Sequence, residues 1–230
     1  MEVNRIQSNP EMDVFKDQMR ESLTRQIRNS RSLKIAKHEN VYTAGEQGNL
    51  VYFIASGQVK LLMLSSDGNE CLLAIHSSGD VFGELCLAGL AGRLETATAM
   101  EDSVLTQVPS DAFLEHLAKD SLLEGFVKYL AVRVAEQQQV VANLVTADSE
   151  QRLGKTLLQL GRKLSRSDSD SMRIEVRISH EELASMIGTT RPRISLFMQR
   201  FRNLGLIEMT AEHHLIIKGE KLTSYLDSIA

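Results

Sequence analysis

ISHEELASMIGTTRPRISLFMQRFRNLGLIE, residues 178–208, contains two helix starts, a glycine between them and a cluster of arginines. Ser179 precedes Glu182 by three positions, the spacing at which a hydroxyl and a carboxylate cap a first helical turn reciprocally. Leu183, Met186 and Ile187 give the helix that follows one apolar face. Gly188 permits a tight turn, Thr190 is placed to cap a second helix, and Pro192 suits that helix's first turn. In the second helix Ile194, Phe197, Met198, Phe201 and Leu204 share a face and are expected in a core. Arg191, Ser195, Gln199 and Arg202 fall on the opposite face. Arginine pairs bidentately with guanine, and glutamine with adenine, in the major groove. Between Gly188 and Leu204 stand Arg191, Arg193, Arg200 and Arg202 with no acid, which suits phosphate contacts. Charge alone would also fit an ordinary solvated helix face. The glycine turn, the caps and the acid-free cluster together favour a helix-turn-helix that binds double-stranded DNA. Its contact residues are expected to be His180, Thr190, Arg191, Arg193, Ser195, Gln199 and Arg202.

Downstream, LIEMT and LIIK around AEHH form a small β-hairpin, a wing. His213 and His214 at its tip read as exposed polar residues, because no third metal ligand is evident. Upstream, Asp148 and Gln151 form a second capping box that starts a helix through QRLGKTLLQLGRKL. Its GKT tripeptide is not a phosphate loop: Ser149 holds the place of the required glycine, and no strand precedes it. SRSDSDS is a polar loop, and MRIEVRIS alternates like a strand.

The N-terminal part has a different texture. Phe15, Met19, Leu23 and Ile27 lie four apart within residues 11–29, an amphipathic helix. From about residue 33 to 110, short β-branched runs alternate with glycine-bearing turns, among them SDGN at 66–69, which predicts a small sandwich or roll. Residues 111–146 then turn helical. Val127, Leu130, Val134, Gln137, Val141 and Leu144 advance by three and four, a heptad seam. Such a seam needs a partner: the chain's own roll could supply it, and a second copy of the helix is favoured. Gln137 interrupts the seam with a polar group that fixes register or meets a ligand.

Residues 1–147 carry 13 Lys and Arg against 19 Asp and Glu, whereas residues 148–230 carry 13 against 11. The more basic C-terminal part again fits a polyanion. Cys71 and Cys86 sit in apolar runs without CxxC spacing, so they are expected to be buried, reduced thiols and not cluster or zinc ligands. The first residues lack a signal-peptide pattern, and no window reads as a membrane span; a soluble, cytoplasmic protein with no membrane partner is expected. No nucleophile–base or paired-carboxylate constellation emerges, so no enzyme is expected.

Together these stretches resemble the bacterial cyclic-AMP receptor protein and fumarate–nitrate regulator family, from about Leu33 to Leu222. AGEQGNLVYFIASGQVKL is similar to the family's roll signature, with Gly45, Gly48 and Gly57 at turns. GDVFGEL, residues 79–85, resembles the entry to its nucleotide cassette, and residues 178–207 match its helix-turn-helix without a gap. The resemblance implies an α+β chain: a cyclic-nucleotide-binding-like β-roll in 1–115, a dimerisation helix in 116–147 and a winged helix-turn-helix in 148–230. It implies a homodimer on a roughly palindromic operator, its recognition helices about 34 Å apart in successive major grooves. RNA polymerase is expected as a further partner. Arg191 matches the family's guanine-reading arginine, but Pro192 and Leu196 stand where a glutamate and a second arginine are common. The usual half-site therefore does not carry over.

The cassette departs from the pattern as well. Gly83 and Glu84 match the pair that meets the ribose, with Leu85 beside them. The arginine that neutralises the cyclic phosphate is replaced by Glu95, followed by Thr96. A carboxylate there repels a phosphate, the more so in a dry pocket. Arg93 could substitute only if the loop shortens, since in a strand it would share a side with Glu95. Gln137 and Gln138 match the base-contacting helix positions, and neither is the small hydroxyl residue usual there. His76 and Cys86 do not match the family's heme-ligand positions. The expected role is a regulator sensing a small effector, whether cyclic mononucleotide, cyclic dinucleotide or metabolite, by a contact other than the standard one. The alternatives are an effector-independent regulator with a closed pocket and a nucleotide-binding module without a DNA role.

Overall fold

The computed structural model describes residues 10–25, 31–64, 70–90, 92–165, 170–212 and 214–229. Ile27, the 66–69 turn and His213 lie outside them. The chain forms two compact units, one within Asn9–Val134 and the other within Ala135–Ala230.

Among the described residues of the first unit, eight strands build two four-stranded antiparallel sheets. They are β1 (Arg31–Ile35), β2 (Asn40–Tyr42), β3 (Leu50–Ser56), β4 (Gln58–Leu64), β5 (Glu70–Ser77), β6 (Val81–Phe82), β7 (Thr96–Ala99) and β8 (Ser103–Pro109). The sheets run in the orders β1-β8-β3-β6 and β2-β7-β4-β5. Strand β3 shows why its sequence is apolar on both faces. Tyr52 and Ile54 join Tyr42, Leu61, Phe82 and Leu105 in one core cluster. Their neighbours Val51 and Phe53 join another, with Phe113 and Leu117 of α2 (Ser110–Lys119) and Phe126 and Tyr129 of α3 (Leu123–Thr146). Phe15, Met19 and Leu23 of α1 (Pro10–Arg25) complete that second cluster. Successive strand residues point to opposite faces, so a strand covered on both sides must be a continuous apolar run.

The helical stretch expected over 111–146 is two helices, because the chain turns at Ser121, whose φ is 58°. On α3, Phe126 and Tyr129 face the core while Val127, Val134, Val141 and Leu144 are exposed. Burial of both cysteines does not hold: Cys71 is exposed and Cys86 half-buried. Cys71 pairs across the sheet with Met63, itself exposed.

The second unit contains α4 (Ser149–Leu164), β9 (Ser171–Ile174), α5 (His180–Ile187), α6 (Arg191–Asn203), β10 (Ile207–Met209), β11 (Leu215–Lys218) and α7 (Gly219–Ser228). Both capping boxes form, at Asp148 with Gln151 and at Ser179 with Glu182. The glycine of GKT is a packing position, since a Cβ on Gly154 would lie 2.6 Å from Leu226 of α7. β10 and β11 pair as the expected hairpin, and β9 extends their sheet. β9 is shorter than MRIEVRIS suggests: it ends at Ile174, which pairs with Leu215, the first residue of β11. Leu204 is exposed, not core, because α6 ends at Asn203 and Leu206 takes the buried place. Thr190 occupies the cap of α6 but makes no side-chain capping bond; Pro192 in that first turn has no N–H to offer.

Phe82 is fully buried and stacks on Tyr52 with ring centroids 5.1 Å apart. Replacing Phe82 with Ala is expected to destabilise the roll by about 3–5 kcal/mol. Thermal unfolding followed by calorimetry should show this as a lowered roll transition, with the α4–α7 transition unmoved.

Candidate functional site

At the end of β6 the chain turns through Gly83, whose φ of 74° is left-handed. A Cβ there would come within 2.9 Å of Arg93 Nη1 and 3.2 Å of the Leu50 carbonyl. Glycine thus leaves room for the Arg93 guanidinium, which donates to the carbonyls of Gly83 (2.8 Å) and Leu50 (2.6 Å). The same guanidinium lies 4.3 Å above the Tyr42 ring and 5.6 Å from that of Tyr52. Tyr42 turns its hydroxyl the other way and donates to Glu95 Oε1 at 2.8 Å. One tyrosine thus receives a cation on its ring face and holds an anion at its hydroxyl. Burial, and then the Glu95 carboxylate, raise the Tyr42 pKa far above the phenol range, so it remains a donor. Arg93 and Glu95 are only 7% and 3% exposed, while Leu94 between them faces solvent.

Neither residue belongs to a strand, since β7 starts at Thr96. Backbone bonds hold Arg93 instead: Gly45 N–H donates to the Arg93 carbonyl and Arg93 N–H to that of Glu46. Thr96 Oγ1 accepts the Ala44 N–H at 3.0 Å. Glu84 Oε1 pairs with Arg133 at 2.9 Å, and that guanidinium also donates to the Val81 carbonyl at 3.2 Å. Glu84 Oε2 is buried with no hydrogen-bond partner among the described residues. Leu85 is exposed, as are Gln137 and Gln138 farther along α3. Gly83, Arg93, Glu95 and Thr96 therefore gather around β6 and β7. Tyr42 and Arg133 were not anticipated from sequence. Arg133 follows Phe126 and Tyr129 at helical spacing, a stripe separate from the seam, which was the available signal.

In the second unit α6 buries Ile194, Met198 and Phe201 and half-buries Phe197. At 100° per residue, the side opposite that core carries Pro192, Ser195, Leu196 and Gln199, all exposed. The arginines divide into two pairs. Arg200 bonds Glu150 at 2.9 Å and Arg193 reaches Ser149 at 3.5 Å, both on α4. Arg191 and Arg202 lie toward His180, whose Nδ1 is 2.9 Å from Ser195 Oγ. Burial, then Arg191 and Arg202, lower the His180 pKa below the ordinary imidazole value. Arg152 fixes the turn before α6 by donating to the carbonyls of Ile187 (2.8 Å) and Ala147 (2.7 Å).

Residues 32–120 match the cyclic nucleotide-binding domain family, and residues 151–225 match the Crp-like helix-turn-helix domain. The transcriptional regulator LdrP of Thermus thermophilus is 32% identical over 174 residues, covering 76% of this chain and 86% of that one. The chain belongs to the CRP/FNR family of transcription regulators. Another CRP/FNR relative, a CRP-like cAMP-activated global transcriptional regulator of Mycobacterium tuberculosis, is 28% identical over 87% of this chain and 89% of its own length. The crystal structure of a CRP-family transcriptional regulator from Thermus thermophilus superimposes with a TM-score of 0.66 at 26% identity, covering 85% of this chain and 96% of that one. The cyclic-nucleotide-binding match covers the strands of the roll and α2, and the helix-turn-helix match falls on α4–α7.

Tyr42→Phe would leave the Glu95 carboxylate buried without its donor. It is expected to cost about 1–3 kcal/mol in denaturant unfolding, and adding Glu95→Gln should recover part of that loss. In NMR titrations the His180 imidazole should titrate below the usual histidine range, and Arg191→Ala should move its midpoint up.

Proposed function

We propose that this CRP/FNR regulator is a homodimer that reads a roughly palindromic operator in double-stranded DNA. The observation that carries this reading is the α6 surface: exposed Ser195 and Gln199 beside Arg191 and Arg202, opposite a buried apolar face. Arg191 and Gln199 are assigned to bases. Arg193, Arg202 and Thr190 are assigned to phosphates, with His180 supporting Ser195. Arg193 and Arg200 are held by α4, so they form the fixed edge of that surface. We divide the chain by role into a sensing roll (1–115), a dimerisation helix (116–147) and a DNA-binding domain (148–230), with no enzymatic function.

The dimer reading rests on the seam. Val127, Val134 and Val141 are each more than half exposed at heptad spacing, a stripe that a second copy of α3 would cover. For the roll, the commitments of Arg93 and Glu95 within the chain support DNA binding without a cyclic mononucleotide held by its phosphate. A second reading has its own support. Among the described residues Glu84 Oε2 is a buried acceptor without a donor, the kind of group that a hydroxyl of another small effector would satisfy.

The test is operator selection with the purified protein, followed by Arg191→Ala on the selected site. The substitution should cost about 1–3 kcal/mol and relax preference at one base pair per half-site. An equal loss on random DNA would reduce Arg191 to a phosphate contact. Val134→Glu combined with Val141→Glu should give a folded monomer in sedimentation and abolish operator binding at concentrations where the unsubstituted protein is dimeric.

A further inference from the structure

Leu196 is the one large apolar side chain standing out from the middle of the α6 surface, and it is 62% exposed. Single exposed leucines are common and need no explanation. The surroundings distinguish this one. Pro192 and Gln199 are its neighbours one turn to either side, and both are exposed. Arg191 and Arg202 flank this strip on one side, and Arg193 and Arg200 on the other. The surface is therefore a cationic margin around an uncharged centre, half hydrogen-bonding through Ser195 and Gln199 and half apolar through Pro192 and Leu196.

A polyanion fits the margin, and the centre narrows what lies within it. Among the groups that a base pair presents in the major groove, the methyl group of thymine is the apolar one. We infer that Leu196 reads the 5-methyl group of a thymine, which makes the operator half-site specify an A·T pair at that step. This rests on the DNA-binding reading given above. Leu196 and Gln199 are three residues apart, about 4.5 Å along the helix axis, close to the spacing of adjacent base pairs at about 3.4 Å. Gln199 is suited to adenine. The two side chains together thus favour neighbouring A·T pairs, where an arginine at residue 196 would favour guanine.

The experiment uses the full chain and duplexes selected from a random library. In the selected operator, each thymine is replaced in turn by uracil, which keeps the base pair and lacks only the methyl group. One thymine position per half-site should show about a fourfold loss of affinity, the worth of one buried methyl group. Leu196→Ala should bind the unmodified operator more weakly by a similar factor and be insensitive to uracil at that position. Leu196→Arg, which keeps a helix-favouring residue at an exposed site, should shift selection there from A·T toward guanine. Methyl dependence that persists in Leu196→Ala, or its absence at every thymine, would overturn the inference while leaving operator binding intact. Failure to enrich any sequence would instead overturn the DNA-binding reading and this inference with it.

Discussion

A guanidinium and a carboxylate lie beneath the surface of the roll, and the placement of the residues around them follows from the need to match both. An unpaired charge taken out of water costs several kcal/mol. Arg93 meets that requirement with two backbone carbonyls and the face of Tyr42, and Glu95 meets it with the Tyr42 hydroxyl. Gly83 has no side chain because the guanidinium occupies that space. Glu84 pairs with Arg133, which ties the turn after β6 to α3. Around β6 and β7 the roll therefore holds an internal network of the chain's own charges.

The same matching governs α6. Two of its arginines are anchored on α4 and two lie beside His180, so the helix presents a charged rim on both sides of an uncharged strip. Arg152 secures the turn that sets this helix in place, bonding carbonyls left open at the end of α5 and after α3. On the DNA-binding reading proposed above, the rim would supply phosphate contacts and the strip base contacts, the usual division between the two.

Much of this was legible in the sequence because it rests on local rules. Capping boxes at Asp148 and Ser179, the glycine turn at 188 and the apolar faces of α5 and α6 depend on residues within a few positions of one another. What escaped was decided by where elements end and by distant partners. The break at Ser121 interrupts an otherwise helical pattern, and the end of β9 is set by where β11 begins. Leu204 has the right spacing for the core but falls just past the end of its helix. In the cassette, the family resemblance singled out Glu95, with Arg93 two residues before it. Only the fold brings Tyr42, more than fifty residues earlier, between them.

The most direct test is calorimetric titration of the purified protein with cyclic AMP, cyclic GMP and cyclic di-GMP. An internally matched Arg93 and Glu95 predict no heat with either mononucleotide, because binding would have to displace the guanidinium and bring a phosphate toward a buried carboxylate. Heat with cyclic di-GMP alone would be compatible with that network, and its loss in Glu84→Gln would connect the ligand to Glu84. Micromolar binding of cyclic AMP or cyclic GMP would contradict it, showing that Arg93 leaves its carbonyls to take the phosphate.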